Sequence, residues 1–328
     1  MKESVFAFLR ATFYRWTQVW PEVCPDLVSA TTVLAIGDLH VENFGTWRDV
    51  EGRLVWGIND FDEAYPLPYT NDLVRLASSA LLAITADQLT LRPKEACEAI
   101  LTGYRKGMDL GGQPFVLAEQ HKWLRAIATS KLRDPVRFWR KLETFPKVTG
   151  GIPANATKAI ESLMPERIPS YRIVRRVSGL GSLGRQRLVA IVDWHGGKIA
   201  REAKALIPSA CVWAGNGKYA NAIFYQSVLD QAVRCRDPFV HLEGSWIVRR
   251  LSPDCSRIEL AALPEERDEY RILHNMGWET ANIHLGSPKA VKSVKRDLAV
   301  RPTRWLHTAA EAMVKVMTQD WKDWKRGD

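Results

Sequence analysis

The chain has 328 residues, 46% apolar and 25% charged, enough to build a sizeable core in one large or two ordinary globular units, which excludes disordered, collagen-like and disulfide-scaffold proteins. Forty-six Lys and Arg against 37 Asp and Glu leave a net charge of +9, so the surface favours anionic partners such as nucleotides, phosphorylated metabolites, nucleic acid or lipid headgroups. Five scattered cysteines with no Cys-x-x-Cys pair exclude a zinc or dithiol motif and predict a cytoplasmic compartment, and neither an export signal nor a membrane span is expected.

Residues 3–20 place Val5, Phe6, Leu9, Phe13, Trp16 and Trp20 near one helical face, which predicts an amphipathic core helix. Short β-like runs at 33–36 and 53–58, joined through Asp49-Val50-Glu51-Gly52, predict a small hairpin. Helices follow at 72–91 and 94–108, the second opening after Pro93, whose fixed φ suits a first helical turn. A Gly- and Pro-rich stretch at 147–169 is the expected boundary. Beyond it, 172–177, 187–193 and 198–206 read as strands of a small antiparallel sheet. A helix at 219–234, a strand at 245–251 and helices from 265 onward, interrupted at Pro288 and Pro302, complete the reading.

The most informative segment is Gly37-Asp38-Leu39-His40-Val41-Glu42-Asn43, followed by Ile58-Asn59-Asp60-Phe61-Asp62-Glu63. One polar loop after each strand of the expected hairpin would bring Asp38, Asn43, Asp60 and Asp62 to the same end. Hard cations such as Mg²⁺ take oxygen ligands, usually one or two protein groups plus phosphates and water. Asn43 and Asp60 supply a neutral and an anionic oxygen, and Asp38 could stay off the metal to deprotonate a hydroxyl. The Asp-x-x-x-x-Asn spacing from Asp38 to Asn43 and the later Asp60-Phe61 reproduce a kinase catalytic loop and its metal-binding Asp-Phe.

Gly-Asp-Leu-His-x-x-Asn followed by Ile-x-Asp-Phe resembles the aminoglycoside phosphotransferase and choline kinase branch of the protein-kinase-like fold. The fuller string, with Asn-Asp-Phe-Asp-Glu-Ala at 59–64 and Asp72-Leu73-x-Arg75-Leu76-Ala77, is similar to an uncharacterised bacterial family within that group. The resemblance implies Asp38 as catalytic base, Asn43 and Asp60 as Mg²⁺ ligands, and Asp72 as a buried carboxylate bracing the catalytic loop. His40 is then structural, and Asp62 is a further candidate metal ligand.

Gly179-Leu180-Gly181-Ser182-Leu183-Gly184 lies between two β-like runs, where backbone N–H groups can approach phosphate oxygens. Gly179, Gly181, Ser182 and Gly184 are therefore candidate ATP-binding residues. A kinase needs a cation on the next strand but one. Lys204 is the first choice and Arg201 the second, on opposite faces because strand side chains alternate. Within 219–234 only Gln226 and Asp230 could stand in for the helix glutamate that pairs with such a lysine.

These elements run in the wrong order for an ordinary kinase, and a circular permutation reconciles them. The expected fold class is α+β, a two-lobed, circularly permuted protein-kinase-like fold. Residues 1–150 form a mostly helical large lobe, 167–252 a small antiparallel-sheet lobe, and 265–328 helices that return to complete the large lobe. The segment 278–284 is expected behind strand 33–36. The expected function is an ATP- and Mg²⁺-dependent phosphotransferase acting on an unidentified, anionic hydroxyl or amine acceptor. The alternative is a kinase-like module that binds nucleotide or a partner without turnover. A two-metal phosphoesterase also uses Gly-Asp-x-His, but the remaining histidines lack its pattern. The cluster Lys289, Lys292, Lys295, Arg296, Arg301 and Arg304 would suit nucleic acid, although no nucleic-acid motif accompanies it and a solvated basic face is preferred.

Overall fold

Thr12 is where the N-terminal amphipathic stretch breaks. Its Oγ1 donates to Phe8 O at 2.7 Å and its backbone leaves helical space at φ −126°, ψ 45°, because a Thr back-bond competes with the helical ladder. The single helix expected over 3–20 is therefore α1 (Val5–Ala11) and α2 (Phe13–Val23), followed by the short α3 (Pro25–Val28). The computed structural model describes residues 1–117, 120–129, 134–168, 170–176, 185–215, 219–253, 255 and 266–327. It is α+β, 48% helix and 18% strand, with antiparallel sheets.

The expected hairpin is corrected. β1 (Thr32–Ala35) does not pair with residues 53–58 but with β4 (Tyr65–Pro68), Val33 opposite Leu67. The hairpin is instead β2 (Phe44–Arg48) with β3 (Leu54–Ile58), Phe44 opposite Ile58. The Asp49–Gly52 turn decides this. Asp49 Oδ1 accepts from Glu51 N at 3.1 Å and Arg53 N at 2.9 Å, so the turn closes on its immediate neighbours. Nearly every residue of β2 and β3 is buried, which removes the polar–apolar alternation that would have marked β2.

α4 (Tyr69–Thr85) is buried on all sides through Ala83. α5 (Pro93–Leu110) opens on Pro93 and ends on Gly111 in the left-handed conformation. After β5 (Phe115–Val116), which pairs with β3, come α6 (Lys122–Ala128), α7 (Pro135–Glu143) and α8 (Ala154–Ser162). α8 lies inside the stretch expected to be a boundary. Its Ala156, Ala159 and Ile160 pack on one face of a five-stranded sheet, with Ala190, Ala203 and Val248.

That sheet has the order β6-β7-β8-β10-β9, built from β6 (Arg172–Arg175), β7 (Arg187–Trp194), β8 (Gly197–Ala205), β9 (Val240–Glu243) and β10 (Trp246–Leu251). Between β8 and β9 stand α9 (Ala210–Ala214) and α10 (Tyr225–Gln231), the latter shorter than the helix expected over 219–234. The chain ends in α11 (Glu266–His284), α12 (Val291–Val300) and α13 (Trp305–Arg326), separated near Pro288 and Pro302. No helix among the described residues is long and apolar enough to cross a membrane.

α11 lies along α5 and also touches α4, β1 and β3, with Ile272, Met276 and Ile283 buried. Two glycines allow the close approach: a Cβ on Gly103 would overlap His274 O, and one on Gly277 would overlap Ile100 O. Backbone cannot yield as a side-chain tip can, so Gly103→Ala is expected to cost about 3 kcal/mol, the upper end for overpacking. Urea unfolding measures this, and a loss below about 0.5 kcal/mol would mean that the two helices are not in contact in solution.

Candidate functional site

Two loops meet where β1 and β3 end. Gly37 makes the approach possible: its φ is +81°, and a Cβ there would run into Glu63 O, so the Asp38 loop and the Asp60–Glu63 loop lie against each other. Asn43 Nδ2 donates to Asp38 O at 2.6 Å, and Asn59 N donates to Asn43 O at 3.2 Å. The amide nitrogen of Asn43 is thus committed, and Oδ1 is the atom with which it would meet a cation.

The Asp38 loop hangs from Asp72. The Asp72 carboxylate accepts from Ile36 N at 2.7 Å, Gly37 N at 3.0 Å and His284 Nε2 at 2.9 Å, and both side chains are fully buried. Behind His284, Tyr104 OH lies 2.8 Å from Nδ1. Burial pushes the Tyr104 phenol well above its ordinary value, so Tyr104 keeps its proton to donate to Nδ1, and Nε2–H then donates to Asp72. His40 sits apart from this chain, buried with its ring edge-on to Phe6 and its Nδ1 accepting from Glu42 N at 3.2 Å.

Arg75 was missed from the sequence as a site residue. Fully buried on α4, it donates from Nε at 3.0 Å, and from Nη2, to the same Oδ1 of Asp38. Its guanidinium lies 4.9 Å from the ring centres of both Phe13 and Trp16. Burial pushes Asp38 up to about 6, Arg75 opposes that rise, and the charges of Glu63 and Asp60 add to it. A proton acceptor poised near neutrality results, with Oδ1 occupied and Oδ2 left for a ligand.

The second loop faces the sheet. Lys204 on β8 reaches Asp60 at 3.4 Å and also pairs with Asp62, across 144 residues of sequence. Arg185 bonds Asp62 at 3.2 Å and Glu63 at 3.1 Å. Burial and the charge of Asp60 push Asp62 above the usual carboxylate range. Burial also works against the charge on Asp60, but Lys204, with Arg187 and Arg249 behind it, outweighs this and holds Asp60 well below the usual carboxylate range. Asp62 Oδ1 is buried with no hydrogen-bond partner.

Arg201 does not join them. It lies on the face of β8 opposite Lys204, donating to Leu163 O at 2.8 Å and resting 5.1 Å from the Phe239 ring. The candidate glycines Gly179, Gly181 and Gly184, with Ser182, lie outside the described residues, in the segment joining β6 to β7. Gln226 Nε2 donates to Asp230 Oδ1 at 3.0 Å on α10.

Two further arrangements escaped the sequence reading. Glu202 is fully buried between Arg176 at 2.7 Å and Arg249 at 2.6 Å; burial would raise its carboxyl, but these arginines and Arg187 hold it well below the usual range. Phe61, next to Asp60, is held by Arg234, whose guanidinium lies 5.0 Å from its ring centre and 4.7 Å from that of Trp47, and by the edge of Tyr225. Alternation along β8 puts Glu202 and Lys204 on one face and so could have signalled the first. Nothing local could have signalled the second.

Among the described residues, no group of three or more His, Cys, Asp or Glu side chains is arranged to hold a metal. Mg²⁺ asks for less, one or two carboxylates with phosphate and water. The oxygens of Asn43 and Asp60, and the unpartnered Oδ1 of Asp62, fit that demand.

Fold and site together define an α+β protein in which two polar loops face a basic antiparallel sheet. Residues 1–137 match a family described as an uncharacterised protein conserved in bacteria (DUF2252). The match covers both loops, Asp72 and Arg75, stops short of the five-stranded sheet, and carries no link to the protein-kinase-like superfamily. No curated protein and no solved structure matches the chain.

Proposed function

We propose that the protein is an ATP- and Mg²⁺-dependent phosphotransferase, a circularly permuted, two-lobed member of the protein-kinase-like superfamily. One observation carries the reading: Lys204, on the third strand of its sheet in chain order, meets Asp60 and Asp62 one hairpin beyond Asp38. In kinases the third strand supplies the phosphate-binding lysine, and an Asp-Phe supplies the metal ligand. The glycine-rich segment between the first two strands supports the same reading, as do the contact of α11 with β1 and the bond from His284 to Asp72 across 212 residues.

Residual exposure divides the roles. Asp38 and Asp60 keep 22% and 36% of their side chains accessible, against none for Asp72, so the first two can meet substrate and the third braces. Asn43 and Asp60, with Asp62, would hold Mg²⁺, which would neutralise and orient the phosphates. Lys204 exchanges its carboxylate partners for phosphate oxygens. Asp38, fixed through Oδ1, accepts the acceptor's proton on Oδ2. The basic surface favours an anionic acceptor.

Calorimetry with ATP tests the reading. Binding is expected only with Mg²⁺, because triphosphate charge would otherwise stand beside uncompensated carboxylates, and Asp60→Ala and Asn43→Ala are expected to weaken it about tenfold or more. Equal binding with and without Mg²⁺, or none in either case, would refute it. A second reading, a nucleotide-binding module without turnover, is favoured by the pairing of Gln226 with Asp230 on α10, which leaves neither side chain in the place of a kinase's helix glutamate. Under that reading ATP binds but is neither hydrolysed nor transferred.

A further inference from the structure

Arg187 stands directly across from Lys204 in the β7–β8 register, so the two cations share one face of the sheet. It is only 7% exposed, and its Nε is buried with no hydrogen-bond partner. Such a group costs free energy unless something accepts from it. The carboxylate able to accept is Glu202, but both of its oxygens already take charge-assisted bonds from Arg176 and Arg249. Asp60 acts on Arg187 only through space. On the same face and its margin, five cations (Arg176, Arg185, Arg187, Lys204 and Arg249) meet four carboxylates (Asp60, Asp62, Glu63 and Glu202).

We propose that Arg187 and Lys204 together form a polyphosphate site on this face, Arg187 being the second cation that grips the phosphate chain. The identity of the anion as a nucleoside triphosphate rests on the phosphotransferase reading; the anion site does not. Adjacent strands lie about 4.8 Å apart, so a cross-strand pair of cations can engage neighbouring phosphoryl groups. A guanidinium can also donate two parallel bonds to one phosphate, which an ammonium cannot. As a divalent cation draws Asp60 and Asp62 to itself, Lys204 is released to the phosphates, and Arg187, which has no carboxylate to release, is already in place. This separates the two cations: Lys204 is held by acids until ligand arrives, whereas the anion is what satisfies Arg187.

The test is calorimetry of inorganic tripolyphosphate and of ATP, each with Mg²⁺, on the full chain, on Arg187→Gln and Arg187→Lys, and on Lys158→Gln as a surface-charge control, Lys158 being 77% exposed. Arg187→Gln is expected to weaken tripolyphosphate at least about tenfold, the loss of a charge-assisted pair, with Arg187→Lys in between and the control unchanged. Should Arg187→Gln fail to fold, the wild-type Nε–H resonance of Arg187, assigned by its loss in Arg187→Lys, is expected to shift on adding tripolyphosphate, and an unmoved resonance overturns the proposal. Mg²⁺–ATP bound equally by wild type and Arg187→Gln overturns the site and leaves the ATP reading standing. Arg187-dependent tripolyphosphate binding without ATP binding upholds the site and removes the ATP reading. Binding of neither probe removes both.

Discussion

Asp72→Ala is expected to destabilise the protein by about 3–5 kcal/mol, a large part of the roughly 5–15 kcal/mol that holds a typical domain together. One carboxylate accepts from two successive backbone N–H groups, Ile36 and Gly37, and from His284 Nε2. Removing it leaves these donors, and Asn71 Nδ2, which reaches Oδ1 at 3.3 Å, without an acceptor in a fully buried space. Asp72→Asn keeps one oxygen but turns the other into a donor facing donors, so it should fall between wild type and Ala. Urea unfolding of the two variants, beside Asp193→Ala as an exposed ion-pair control at 84% exposure, gives the comparison. The control should lose less than about 1 kcal/mol. An Asp72→Ala loss no larger than that would show that the Asp38 loop is not suspended from α4.

Asp38→Asn should act on chemistry and leave nucleotide affinity nearly intact, while stability falls because the buried Arg75 loses its counter-charge. The amide oxygen still accepts from Arg75, while its capacity to take a proton is gone. Transfer, or ATP hydrolysis in the absence of an acceptor, is expected to drop about 10²- to 10⁴-fold, with ATP affinity within a few fold of wild type. The pH dependence has a definite sign. Asp38 works as a base only when ionised, and burial has pushed it up to about 6 against the pull of Arg75, so the rate should rise with pH through about 6 and level off above 7. Arg75→Met removes that pull and should move the rise to higher pH. A pH–rate profile on both proteins settles it. A flat profile between pH 5 and 7 in wild type, or Asp38→Asn at wild-type rate, would exclude Asp38 as the base.

Local pattern made much of this chain readable. The Asp49–Gly52 turn, Pro93 at the first turn of α5, and the β7 and β8 runs announce themselves through residues a few positions apart. So does the order Asp38, Asn43, Asp60 within two short loops. The alternation that separates Lys204 from Arg201 follows from strand geometry alone. Strand partners were another matter. β1 turned from the 53–58 run to β4 because the Asp49 side chain closes β2 on β3, and two almost wholly buried strands show no alternation from which a partner could be read.

What the sequence by itself determined is the set of local conformations and the chemical kinds of group each loop offers: carboxylates and an amide on two loops, glycines and cations on the five-stranded sheet and the segment within it. What only the tertiary structure decided is which of those groups have partners. Asp72 accepts from a histidine 212 positions away, Asp38 is held by an arginine two turns along a buried helix, and Glu202 takes Arg176 and Arg249 while Arg187, beside them, is left with a buried Nε and no acceptor. The physical reason is that a buried charge must be matched by whatever the packing of distant elements brings within about 3 Å. Sequence separation carries no record of that distance.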